Sequence, residues 1–319
     1  MDYRSIPKVE LHVHLDGSIR PTTLAELANI SLEQAKNESV APDKCLDLND
    51  YLARFSLPIS VMQTKENLTR IAYELAFDMK NENVVYAEIR FAPMQHTSVL
   101  TPEEVIDAII EGLKKVDIKI NLLLCMMRNS DEETNKKVID LACKYKNNYV
   151  VGIDLAGAEA LYKTANFENL FMYAKKLGVN YTIHAGEADG PESILASIKF
   201  GATRIGHGVR ILEDEQVLKL VRDKKILLEV CPTSNVQTNI CHTINEHPIK
   251  QLIDNELLVC INTDNRTVSN TDLSLEYQKL ALAFNFTKED FIKFNMNAID
   301  ASFIEQEEKD KLKELIRNW

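Results

Sequence analysis

Near the start of the chain, in "VELHVHLDGS" (9–18), His12, His14 and Asp16 stand two residues apart. On an extended strand, side chains alternate between faces, so positions i, i+2 and i+4 share one face. That face carries two imidazoles and a carboxylate, while the other carries Leu11, Val13 and Leu15. Two imidazoles on a buried strand need partners, because desolvating them unpaired is costly. Imidazole and carboxylate are good ligands for a divalent metal, zinc among them. Two more groups of the right type lie far along the chain, His184 in "HAGE" and Asp264 in "NTDN". Three histidines and one aspartate make a metal set that leaves a position open for water. Bound zinc lowers the pKa of water from about 15.7 to about 7 and so supplies hydroxide at neutral pH. Glu187, three residues after His184, is placed to sit beside such a metal and shuttle a proton. His207 is a further group able to orient or deprotonate the water.

Other chemistry is thinly represented. The helical zinc motif H-E-x-x-H is absent, as is the H-x-E and P-C-x-x-C pair of cysteine-ligated deaminases. His96, His242 and His247 read as structural or solvated, and Cys231 as a core residue. The acidic runs Asp131–Glu133 and Glu307–Glu308 read as solvated helix faces.

Eight short β-rich runs must position these groups. They are 9–15, 84–92, 119–127, 150–157, 180–187, 203–208, 226–232 and 258–264. Segments of helical periodicity lie between them, at 101–116, 131–146, 166–178 and 214–225. Thr101 followed by Pro102 and two glutamates is a helix start. Residues 16–83 are longer than one helix and are expected to hold several, covering one end of the fold. The stretch 287–319 reads as two more helices. Strands alternating with helices predict an α/β fold, a (β/α)8 TIM-type barrel with additional helices near the N-terminal region and at the C-terminus. Such barrels carry their active sites at the C-terminal ends of the strands. His12, His14, Asp16, Gly157, His184, Glu187, His207, Asp264 and Asn265 all fall at such ends.

The 319 residues are read as one barrel domain, 1–319, with ample length for a core. A net charge of −11 and the lack of a Lys/Arg cluster disfavour nucleic acid as a partner. No apolar run is long enough to span a bilayer, so no membrane partner is expected. Six scattered cysteines without C-x-x-C, and no apolar signal at the start, suggest a reduced, cytoplasmic protein.

Six fragments, "HVHLDGS", "GIDLAGAE", "HAGE", "GHGVR", "CPTSN" and "NTDN", occur in that order over nearly the whole chain. Together they resemble the adenosine deaminase family of metal-dependent hydrolases. The resemblance implies a (β/α)8 barrel with one Zn2+ per chain. Some relatives bridge two metals with a modified lysine on the fourth strand, and "VVGIDLAG" has no lysine. By motif, His12, His14, His184 and Asp264 would hold the metal. Glu187 would protonate purine N1, and water activated by the metal would attack C6. His207 would orient and help deprotonate that water, with Asp264 assisting. The Gly157 N–H would bond purine N3, Asp16 would accept from the ribose 5′-hydroxyl, and His14 would also face the substrate. Ammonia would leave, giving inosine, a step of purine salvage.

One residue departs from the family pattern. Asn265 stands where well-known members carry a second Asp, and its amide is expected to donate to purine N7. Adenosine and 2′-deoxyadenosine are the expected substrates, and a monomer is the expected state. Relatives that deaminate free adenine tend to carry Glu in place of Asp16, and a 5′-phosphate would be repelled by Asp16. A 5′-modified nucleoside, a non-purine C–N bond, and a barrel that binds without catalysis are the alternatives. Residues 52–64 are a candidate lid or an ordinary amphipathic helix.

Overall fold

A computed structural model describes residues 1–319. Eight strands appear where the apolar runs place them: β1 (Lys8–His14), β2 (Val84–Phe91), β3 (Lys119–Met127), β4 (Val150–Ala156), β5 (His184–Ala185), β6 (Arg204–His207), β7 (Leu227–Val230) and β8 (Leu258–Ile261). All neighbouring pairs are parallel, in two four-stranded sheets, β1–β4 and β5–β8. Two narrow seams join the sheets into a barrel. At one, Ile153 N–H donates to the Asn180 carbonyl (2.9 Å) and Thr182 N–H to the Ile153 carbonyl (3.1 Å). At the other, His14 N–H donates to the Asp264 carbonyl (2.7 Å) and Asp264 N–H to the His12 carbonyl (3.0 Å). β5 is therefore far shorter than the run 180–187, because most of that run serves the seam and the turn after it.

Helices follow the strands and wrap the barrel. Local chemistry sets their starts. Thr101 and Glu104 form a reciprocal capping box on Pro102–Leu113, Asp131 accepts from Thr134 N–H at 2.7 Å, and Asp214 accepts from Gln216 and Val217 N–H. The acidic residues after Asp131 sit in an exposed first turn, where they complement the helix dipole. Two helices, Lys288–Ala301 and Gln306–Arg317, form the last segment, and their apolar faces pack with Val9, Leu11 and Leu227 at the N-terminal end of the barrel. Residues 16–83 form five α-helices and a 3₁₀ turn. Of these, Leu48–Leu52 and Ser56–Val61 lie across the C-terminal mouth and line its cavity. No helix is long and apolar enough to cross a membrane.

The helices Lys65–Asn81 and Pro102–Leu113 meet at Gly112. A Cβ there would lie 2.2 Å from the Thr69 carbonyl oxygen and 2.9 Å from Ala72 Cβ. Alanine in a helix interior gains about 1 kcal/mol over glycine, but overpacking costs about 1–3 kcal/mol, and a backbone oxygen cannot rotate away. Gly112→Ala is expected to lower stability by up to about 2 kcal/mol, read as a lower urea midpoint at unchanged slope. A midpoint equal to or above that of the parent would contradict this contact.

Candidate active site

The sequence-selected residues converge at the C-terminal mouth. His12 and His14 come from β1, His184 from β5, and Asp264 from just beyond β8. Their ligand atoms all lie within 4.8 Å of one another, and all four residues are buried. His14 Nε2 is 3.3 Å from His184 Nε2 and 3.4 Å from Asp264 Oδ1, and His12 Nε2 is also 3.4 Å from Asp264 Oδ1. His12 Nε2 has no hydrogen-bond partner. Burial drives His14 well below its ordinary pKa, opposed by Asp264 and reinforced by His184 and His12, so its ring is neutral. Burial alone would push Asp264 up, but its neighbours, His12 first among them, hold it well below the usual carboxylate range. Lone pairs and a carboxylate thus face one point. This donor set fits a divalent cation.

The outer nitrogens explain the aim of the rings. His12 Nδ1 is 2.9 Å from Glu229 Oε2, and His184 Nδ1 is 2.8 Å from Asp154 Oδ2. Partners of this kind put the proton on Nδ1 and the lone pair on Nε2. Arg90 joins them, donating to Asp154 and to Glu229 at 2.9 Å each. Arg204 pairs with Glu229 and with Glu88. Asp264 is held from behind by the Ser234 hydroxyl, which donates to Oδ2 at 2.6 Å. A glycine fits under this corner, since a Cβ at Gly206 would lie 3.0 Å from His12 Cε1.

Glu187 and His207 flank this cluster, with His207 Nε2 3.5 Å from Glu187 Oε2. Burial, then the charges of Asp264 and Glu159, push the Glu187 carboxyl well above its ordinary pKa. Burial also drives His207 well below its own. The loop carrying Glu187 is fixed by Glu159, whose carboxylate accepts from the backbone N–H groups of Gly186, Glu187, Ala188 and Asp189 at 2.7–3.0 Å. Cys231 lies near His12 and His207, but it is fully buried and its thiol is pushed well up by burial, as a core residue.

A cavity of about 420 Å³ opens in front of these groups. His14, Asp16, Gly157, His184, Glu187, His207, Asp264 and Asn265 all line it, with Leu52, Phe55 and Ile59 from the 52–64 segment. No Lys or Arg is among the lining residues. Asp16 follows the end of β1 and is pushed up to about 7 by burial. Gly157 holds φ at +106°, a backbone that L side chains rarely adopt. Asn265 reaches the cavity, but its Nδ2 donates to the Tyr51 hydroxyl at 2.9 Å and its Oδ1 packs on Gly17. Only one amide proton is therefore left to face a ligand.

Sequence reasoning missed Asp154, Glu159, Glu229 and Arg90, and it placed Ser234 and Asn235 after the seventh strand without a role. Three of them carried a signal, since Arg90, Asp154 and Glu229 are charges in the middle of apolar strand runs. His247, read as structural or solvated, is buried, with Nε2 3.2 Å from Asn235 Oδ1.

A family profile described as adenosine deaminase matches residues 7–319. An adenosine deaminase of Enterococcus faecalis is 43% identical over 98% of this chain and 96% of its own length. One from Clostridium perfringens is 40% identical over 98% of each chain. Among solved structures, an N6-mAMP deaminase of Arabidopsis superposes with a TM-score of 0.90 at 30% identity over 99% of each chain. An adenine deaminase of Arthrobacter aurescens shares the fold, with a TM-score of 0.91 at 24% identity over 99% of each chain.

Glu159→Gln puts an amide donor against backbone donors and loosens the Glu187 loop. Its kcat for the reaction served by Glu187 is expected to fall about 10- to 100-fold, with bound metal retained by elemental analysis. An unchanged kcat would remove Glu159 from the site.

Proposed function

The chain belongs to the adenosine deaminase family of metal-dependent hydrolases, and from that premise we propose that His12, His14, His184 and Asp264 hold one zinc ion beside a purine-nucleoside pocket. The activity is the hydrolytic deamination of adenosine, which yields inosine and ammonia. The observation that carries the site assignment is the convergence of four buried ligand atoms within 4.8 Å, with Glu187 and His207 beside them.

Zinc, when bound, acidifies water so that hydroxide is available at neutral pH. The chain's residues do the rest. A carboxyl with a strongly raised pKa still carries its proton at neutral pH, so Glu187 donates it to purine N1 and makes C6 electrophilic. His207 orients the attacking oxygen. The tetrahedral C6 then becomes a carbonyl as the proton of its new hydroxyl passes to the amino group and the C6–N bond breaks, releasing ammonia. Gly157 N–H faces N3, and the remaining Asn265 amide proton faces N7. Asp16 accepts from the 5′-hydroxyl of adenosine or 2′-deoxyadenosine. The cavity has no cation for a 5′-phosphate, which favours a nucleoside over the nucleotides seen with IMP- and GMP-bound plant relatives. The Leu52, Phe55 and Ile59 side chains close the apolar side of the mouth.

Ammonia release from adenosine, with adenine, AMP and 5′-methylthioadenosine compared, tests the reading. Adenosine is expected to turn over fastest. Glu187→Gln is expected to keep its zinc and lose about 10²- to 10⁴-fold in kcat. In the parent, kcat is expected to fall as pH rises through the raised Glu187 value, because the acid form is the active one. Turnover of AMP ahead of adenosine would overturn the nucleoside assignment, and loss of zinc in Glu187→Gln would overturn the role of Glu187.

A further inference from the structure

His207 presents Nε2 to the site, and its other nitrogen faces the protein interior. Nδ1 lies 3.1 Å from Asn235 Nδ2. Asn235 Oδ1 lies 3.2 Å from His247 Nε2, and His247 Nδ1 lies 3.1 Å from the Ile249 backbone nitrogen. All three side chains are buried, at 2% exposure or less. An amide and two imidazoles are each ambiguous in isolation, because either end of each can donate or accept. The chain of contacts removes the ambiguity.

A backbone N–H only donates. Ile249 therefore requires His247 Nδ1 to be the acceptor. Burial pushes His247 down to about 3, so the ring is neutral at working pH and its single proton is on Nε2. That proton is donated to Asn235 Oδ1, which turns the Asn235 NH₂ toward His207. His207 Nδ1 must then accept, and the proton of its neutral ring sits on Nε2. The backbone assists: His207 is held at φ +62°, and the Pro232–Gln237 helix that carries Asn235 also carries Ser234, which fixes Asp264.

We infer that Asn235 and His247 are positioning residues, a hydrogen-bond relay of fixed polarity that starts at the Ile249 amide and keeps the His207 proton on Nε2. The inference rests on the deaminase reading above for its catalytic meaning, but the relay itself does not. With its proton there, neutral His207 offers the attacking oxygen a hydrogen bond and has no lone pair at that nitrogen to take a proton. His207 then orients the water and does not deprotonate it. The polarity is built by residues 28 and 40 positions further along the chain, in "CPTSN" and in the turn before Ile249.

Selective ¹⁵N-imidazole labelling of the zinc-loaded protein reads the tautomers directly in long-range ¹H–¹⁵N spectra. Both His207 and His247 are expected as Nε2–H. Asn235→Asp replaces the donor with an acceptor and is expected to move the His207 proton to Nδ1. Its kcat for adenosine is expected to fall about 10- to 100-fold with little change in KM. Because a buried carboxylate can impair folding, His247→Phe is the second variant. It leaves Asn235 free to rotate, so His207 is expected to populate both tautomers, with a smaller loss of kcat. His247→Gln, whose amide can accept from Ile249 and donate to Asn235, is expected to restore both readouts. A parent His207 protonated on Nδ1, or a His247→Phe variant with unchanged His207 signals, would overturn the relay. Tautomers as expected in a protein inert toward adenosine would instead overturn the substrate reading and leave the relay standing.

Discussion

Two backbone hydrogen bonds between β1 and the end of β8 close this barrel, and both are made by residues that carry the site. His14 N–H reaches the Asp264 carbonyl, and Asp264 N–H reaches the His12 carbonyl. This seam thus brings three of the four clustered groups together. Register there is not free to slip, since a shift of one residue would turn both histidines to the helix-facing side. Asp264 meets this constraint at φ +62°, the left-handed region that non-glycine residues rarely adopt. Strain of this kind costs about 1–3 kcal/mol and persists where surrounding contacts over-determine it.

Charge buried behind the seam decides what the site groups do. Arg90 and Arg204 answer Asp154, Glu229 and Glu88 in the barrel interior. Buried ion pairs are weak stabilisers, because desolvation offsets their attraction. Their evident work here is orientation, since Glu229 and Asp154 face the outer nitrogens of His12 and His184. Environment also separates the two carboxyls of the site. Asp264, among imidazoles, is held ionised, whereas Glu187, desolvated and close to Asp264 and Glu159, is held protonated. Carboxyls pushed in opposite directions are the physical basis for assigning one to ligation and the other to proton donation.

The eight strands were legible because each is a short run buried on both faces, and apolar runs between helical patterns leave few other readings. The convergence of His12, His14, His184 and Asp264 was legible because His12 and His14 sit on a strand run that is otherwise largely apolar, and because the motif order matches a known family. Residues 16–83 were not resolved into elements, because most of their helices are too short to show a periodic pattern. The exposure of an Asn265 amide proton to Tyr51 was invisible, since the two residues are 214 apart and meet only across the mouth. His247 was set aside for the same reason. Its partner Asn235 is twelve residues away across two turns, and nothing in that spacing reports a hydrogen bond.

On the proposed assignment, one metal ion is gripped at the β1–β8 seam by three imidazoles and a carboxylate. Crystals diffracted on either side of the zinc absorption edge test it most directly. A single anomalous peak is expected, within bonding distance of His12, His14, His184 and Asp264 and absent below the edge. No peak at that corner, or two peaks bridged by another residue, would contradict it.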